Sequence, residues 1–143
     1  MIVKVFFDTN VIVDAFTLRD NSYVPSRDLI RAVISEEIDG YICSKQITDI
    51  YYILRKYVQN KIVQKNVIKD ISESFKLLPL LGSDISASFG NKIDDYEDAV
   101  LEEVAKVNVM KYFVTNNKNH FKNSKMCVVT PEELVTLLEA GKN

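Results

Sequence analysis

The sequence predicts a parallel α/β fold, a small sheet of about five strands with helices on both faces, in a single domain spanning residues 1–143. Three observations predict it. Ile2, Val3, Val5, Phe6 and Phe7 make an apolar run interrupted only by Lys4, which reads as a strand buried on both faces. Further short apolar runs alternate with segments of roughly ten to fifteen residues whose apolar positions recur at steps of three and four, as in strand-helix units. The length of 143 residues suits one domain, and no internal repeat, low-complexity tract or linker divides it.

After the first strand, Val11 to Phe16 suits a short helix and Thr17 to Val24 a loop, and Pro25 is placed to open the next helix. Leu29, Ile30, Val33, Ile34 and Ile38 repeat at helical spacing, with Gly40 as an expected C-terminal stop. Tyr41, Ile42 and Cys43 form a second strand. Ser44 can cap a third helix, whose stripe is Ile47, Ile50, Tyr51, Leu54, Tyr57 and Val58 until Asn60 breaks it. Ile62 to Phe75 reads as a fourth helix, with Val63, Val67, Ile71 and Phe75 on one face and Lys61, Lys65 and Lys69 on another. Leu77, Leu78 and Leu80 are a third apolar run, which Pro79 assigns to a sheet edge or a strand end. Ser83 to Phe89 forms a turn or two of helix. The next helix begins in the acidic cluster Asp94, Asp95, Glu97 and Asp98 and buries Val100, Leu101, Val104, Ala105 and Val107. Tyr112 to Val114 is a fourth strand ending at Thr115-Asn116-Asn117. Met126 to Val129 is a fifth, and Pro131 starts a C-terminal helix closed by Gly141.

Hydrophobic residues at 47% and charged residues at 27% exclude a disordered or fibrous chain. The apolar runs are too short to span a membrane, and Met1 leads straight into a core strand rather than a leader, so a cytoplasmic location is expected. Cys43 and Cys127 lack metal-site spacing and read as buried reduced thiols. A net charge of −2 excludes a generally basic nucleic-acid-binding surface. Nucleic acid itself stays open, because an enzyme that meets phosphates through metal-bound carboxylates keeps an acidic site.

Four segments place polar groups where strands end or helices begin: Asp8-Thr9-Asn10, Asp49, the Asp95 to Asp98 cluster and Thr115 to Asn117. At the carboxyl ends of parallel strands these can meet in one crevice. Asp98 lies at steps of three and seven before Leu101 and Ala105, so it faces the buried side of its helix and requires a partner. Asp49 and Asp95 have a competing reading as acids that favour a helix N-terminus, and Asp8 and Asn10 as caps. His120, the single histidine, reads as a surface residue with no acidic partner nearby in sequence. Lys118, Lys122 and Lys125 are near enough to the crevice to meet phosphates. Converging carboxylates without Lys or Arg call for a divalent cation, and an oxygen donor set favours Mg²⁺ or Mn²⁺.

Taken together, FFDTNVIVDAF, ICSKQITDIYYILRK, DYEDAVLEEVAKVNVMKYFVTNNKNHF and VVTPEEL resemble the PIN domain family in order and spacing, nearest its bacterial branch of VapC-like toxin ribonucleases. The resemblance implies a Mg²⁺- or Mn²⁺-dependent endoribonuclease that hydrolyses RNA phosphodiesters with metal-activated water. It further implies a small antitoxin partner and a homodimer. By position, Asp8, Asp49 and Asp98 match the family's catalytic and metal-site acids, and Asn10 and Thr115 match accessory polar positions. Asn117 stands where many relatives have a fourth acid, His120 where an Asp often precedes the Phe, and Asp49 replaces a more usual Glu. Asn117 motivates an alternative, a PIN-like binding domain with little catalysis. A weaker resemblance of FFDTN to the haloacid-dehalogenase nucleophile strand suggests an aspartyl-phosphate phosphatase, although Asn10 replaces that family's second Asp.

Overall fold

A computed structural model describes residues 2–17 and 23–142. Five parallel strands form one sheet in the order β3-β2-β1-β4-β5: β1 (Val3–Phe7), β2 (Ile38–Cys43), β3 (Lys76–Leu78), β4 (Tyr112–Val114) and β5 (Val128–Val129). The apolar run at the start of the chain is therefore the central strand. Side chains alternate across the sheet. Val5, Phe7, Ile42, Val114 and Val129 enter one core beneath α1 (Thr9–Thr17), α2 (Tyr23–Ile34), α3 (Ser44–Leu54), α4 (Lys61–Ser74) and α7 (Pro131–Ala140). Phe6, Tyr41, Cys43 and Phe113 enter a second core against α6 (Tyr96–Val107), on which α5 (Gly82–Ser88) packs. No helix among the described residues is long and apolar enough to cross a membrane.

The order reverses at β1, which has β2 on one side and β4 on the other, so the carboxyl ends of β1 and β4 frame the sheet's switch point. Asp8 follows β1 and Thr115 follows β4. Their strands are tied there by the Asp8 N–H, which donates to the Val114 carbonyl at 2.9 Å.

Several local expectations change. Of the loop expected at 17–24, residues 18–22 lie outside the described residues, while Thr17 ends α1 and α2 begins at Tyr23 with Pro25 inside its first turn. Helix α2 stops at Ile34 rather than at Gly40, because Glu36 takes a left-handed conformation (φ 62°) and the chain enters β2 at Ile38. Gly40 serves close packing: a Cβ there would lie 2.7 Å from Val33 Cγ2 and 2.9 Å from a Phe75 ring carbon. Gly40→Ala is expected to cost about 1–3 kcal/mol in chemical denaturation, through overpacking of a strand against two buried side chains. An unchanged midpoint would show that Val33 and Phe75 give way freely.

Ser44 does not cap α3. The Gln46 Oε1 accepts from the Cys43 N–H at 2.7 Å, and its amide donates to the Phe7 carbonyl at 2.9 Å and the Thr9 hydroxyl at 3.1 Å, so one buried side chain joins β1, β2 and two helix starts. Helix α3 ends before Tyr57, which is exposed, and Val107 at the end of α6 is exposed as well. Strand β5 is only two residues long at the sheet edge, which leaves Cys127 exposed, while Cys43 is buried and its thiol is pushed up by that burial.

Helix α6 also carries two buried glutamates, Glu102 and Glu103. The Asn91 amide donates 2.7 Å bonds to an oxygen of each, while its own oxygen accepts from the Ile93 N–H at 2.9 Å. The Ser124 hydroxyl and, at 3.1 Å, the Lys125 N–H also bind Glu102, and Lys106 pairs with Glu103 at 2.9 Å. This network ties the loop before α6 and the loop before β5 to the middle of α6.

Candidate active site

A crevice of about 260 Å³ opens at the switch point, and its lining includes Asp8, Asn10, Ile53, Asp95, Glu97, Asp98, Asn117 and His120. Neither lysine nor arginine is among its described lining residues. Asp8 arrives here because β1 ends at Phe7, and it is almost wholly buried. Its Oδ2 accepts from the Thr115 hydroxyl at 2.7 Å and from the Asn10 amide at 3.3 Å. Burial pushes the Asp8 carboxyl up to about 6, against the lowering pull of the Thr115 hydroxyl and the Thr9 N–H.

Asp98 sits in the first turn of α6, directed inward as its spacing to the buried Leu101 and Ala105 requires, with its side chain 13% exposed. Its own N–H donates to Asp95 Oδ1 at 3.0 Å, which makes Asp95 the cap of α6 as well as a lining residue. Burial is also the leading cause that raises Asp98, to about 7, followed by the charge of Asp8 beside it and of Asp95; the nearby His120 opposes the shift. Two carboxylates in one crevice, both with raised pKa values, form a pair whose ionisation is held back for want of a balancing positive charge.

The accessory residues are connected. Asn10 Nδ2 reaches Thr115 Oγ1 at 3.5 Å, and Asn10 Oδ1 accepts from the Asn116 N–H at 3.1 Å. The Asn116 amide continues to Asp14 Oδ2 at 2.6 Å, and Thr115 Oγ1 accepts from the Asn117 N–H at 3.0 Å. The loop after β4 and the first turns of α1 are thus held as one unit around Asp8. The capping role open to Asn10 is replaced by this bridge between segments.

Asp49 is placed differently. It is half-exposed on α3, bonded to Lys45 at 2.6 Å, and does not line the crevice; Ile53, one turn later on the same face, does. Burial would lower the Lys45 ammonium, but the Asp49 bond and the charge of Glu97 across the opening leave it raised. Asp49 therefore stands on the rim. Among the described residues, no group of three or more His, Cys, Asp and Glu side chains is close enough to hold a metal ion by itself. The donors present, the carboxylates of buried Asp8 and half-buried Asp98 with amide and hydroxyl oxygens around them, suit a hard divalent cation.

His120, expected as a plain surface residue, lines the crevice with Nδ1 3.6 Å from Asp98 Oδ2. The acidic partner it lacked in sequence comes from a helix more than twenty residues away. Gln46 and Asp14 have no role in the sequence reading, and Asn116 enters it only as part of the Thr115 to Asn117 segment. Asp14 carried a usable signal, an acid among Val11, Ile12, Val13 and Ala15 one turn after Asn10.

A family model described as PIN domain matches residues 4–119. Ribonuclease VapC1 of Aquifex aeolicus (strain VF5) is 30% identical over 135 residues, covering 91% of this chain and 92% of its own length. The solved structure of VapBC2 from Rickettsia felis, bound to a DNA fragment from its promoter, superposes with a TM-score of 0.66 at 16% identity, covering 91% of this chain and 98% of that one. A toxin-antitoxin complex from Klebsiella pneumoniae gives 0.66 at 20% identity, covering 89% and 97%. At these identities the two structures speak for the fold.

Proposed function

Because this chain belongs to the PIN domain family, we propose that it is a divalent-cation-dependent endoribonuclease and the toxin of a toxin-antitoxin pair. The observation that carries the reading is the pairing of buried Asp8 with half-buried Asp98 in a crevice whose described lining residues include no Lys or Arg to balance them. Asp8 and Asp98 would hold Mg²⁺ or Mn²⁺, with Asp49 joining from the rim once it leaves Lys45. When bound, the cation lowers the pKa of water and offsets charge on the scissile phosphate and the departing oxygen.

The chain's own residues supply the positioning. Thr115 and Asn10 fix the Asp8 carboxylate through its Oδ2. His120 stands beside Asp98, Nδ1 to Oδ2 3.6 Å, and Ile53 adds an apolar side chain to the crevice wall. Asn117, in place of a fourth acid, offers a neutral oxygen on the same rim. The named relatives support an antitoxin as protein partner and RNA as substrate. A homodimer remains part of the proposal.

Purified protein should cleave single-stranded RNA with Mg²⁺ or Mn²⁺, lose that activity in EDTA and regain it on adding the metal back. Asp8→Asn should lower the rate by more than about 100-fold, since losing even a residue that orients a metal ligand costs about 10–100-fold. Cleavage that persists in EDTA or in the Asp8→Asn variant would overturn the assignment.

The ion pair of Asp49 and the neutral Asn117 favour one second reading, a PIN fold that binds RNA without cutting it. It predicts no heat of Mg²⁺ binding at millimolar metal, with or without RNA. The aspartyl-phosphate alternative lacks its acid: Asn10 gives its amide to Asp8 and its oxygen to Asn116, and cannot protonate a leaving group.

A further inference from the structure

Beside the carboxylate crevice lies a second hollow of about 480 Å³, lined by Asp94, Asp95, Asn119, His120, Lys122 and Asn123. Asp95 and His120 line both, so the two spaces adjoin along a ridge formed by those side chains. The volume falls in the range of small-ligand sites, about 300–1,000 Å³. Two of its polar side chains are unspent. Lys122 makes no ion pair and the Asn119 amide no hydrogen bond among the described residues, whereas Lys118, one residue before Asn119, is paired with Glu133 at 2.9 Å.

These groups complement the parts of a nucleotide. A free ammonium suits a phosphate, and an amide that both donates and accepts can read a base edge. A carboxylate can accept from an exocyclic amino group, as acids do from cytosine N4. The imidazole of His120, 57% exposed on the ridge, presents a face on which an unstacked base can lie. The hollow's acids, Asp94 and Asp95, would repel a phosphate on their side, which fixes the polarity: base toward the acids, phosphate toward Lys122.

We infer that this hollow is a nucleotide subsite of the nuclease, taking the residue of single-stranded RNA adjacent to the scissile phosphate and favouring a base with an exocyclic amino group over uracil. The inference rests on the ribonuclease reading and adds the determinant of cleavage position. Asn119 and Asp94 select the base, and Lys122 holds its phosphate.

The test uses short single-stranded RNAs with each of the four bases placed in turn at every position around the cleaved bond. The parent protein should disfavour uracil at one adjacent position by about tenfold, a typical discrimination for one good base contact. Asn119→Ala and Asp94→Asn should flatten that preference. Lys122→Ala should raise KM about fivefold or more, with a smaller fall in kcat, and should make the salt dependence of RNA binding shallower by about 0.7 in log-log slope. The salt dependence is read by anisotropy in the Asp98→Asn background, where the RNA stays intact. If the parent cleaves but all three variants keep its pattern and KM, the subsite is overturned and the nuclease reading stands. If the parent neither cleaves nor binds any of these RNAs, both are overturned.

Discussion

Asp98→Asn is expected to abolish RNA cleavage and, in EDTA at pH 8, to raise the melting temperature by several degrees. Both effects come from the same carboxylate. With no cation, Asp98 ionises about pH 7 and Asp8 about pH 6 in the folded protein, against about 3.9 in an unfolded chain. Folded-state values above the unfolded one mean that the native protein holds these protons more tightly. Their stabilising effect is therefore complete below about pH 4 and is lost as pH rises through about 6 for Asp8 and about 7 for Asp98. For Asp8 alone the loss is about 3 kcal/mol. The two are neighbours, so their contributions belong to the pair and do not simply add.

The amide variant removes the Asp98 charge, so the decline through about pH 7 should vanish while the one through about pH 6, which comes from the burial of Asp8, remains; its stability should fall less than the parent's between pH 4 and 8. At about 2–4 °C per kcal/mol for a chain of this size, the difference is readily measured by calorimetry. Mg²⁺ at pH 8 should stabilise the parent by mass action and leave Asp98→Asn almost unmoved. A variant that melts below the parent at pH 8 in EDTA, or that still cleaves RNA, would refute the account of Asp98 as a charge awaiting a cation.

What could be read from the chain alone divides along a physical line. The central strand and Asp8 were legible because a run buried on both faces has no polar alternation, and a polar triplet after it must lie at the sheet's end. The inward aim of Asp98 was legible because helical spacing to Leu101 and Ala105 is local geometry. Gly40 misled because a glycine after a helical run reads as a stop, whereas its real constraint is the approach of Val33 and Phe75, one on α2 and the other just beyond α4. Asn116 with Asp14, and His120 with Asp98, join segments far apart in sequence, and nothing in either segment names its partner. Asp49 was different: the Lys45 pair at a step of four was available in the sequence, and it draws Asp49 to the rim.

The network on the other flank of α6 sets the second large expectation: Asn91→Asp should unfold the protein or leave it marginal at pH 7. Asn91 donates to Glu102 and Glu103, both more than nine-tenths buried. Two hydrogen bonds to charged acceptors are worth about 1.5–3 kcal/mol each. The new carboxylate would remove both and add a third negative charge to the cluster, with Lys106 as the one cation bonded to it among the described residues. Breaking a buried charged network costs about 3–5 kcal/mol, a large part of the about 5–15 kcal/mol that holds a domain folded. Acidification should partly restore the fold, since the introduced carboxyl group, once protonated, can again donate. Denaturation midpoints at pH 4.5 and 7.5 test this, and a variant as stable as the parent at pH 7.5 would show that the two glutamates do not depend on the amide. The consequence reaches the active site, because the Asn91 side chain also accepts from the Ile93 N–H and so sets the loop that delivers Asp94 and Asp95 to the crevice and its neighbouring hollow.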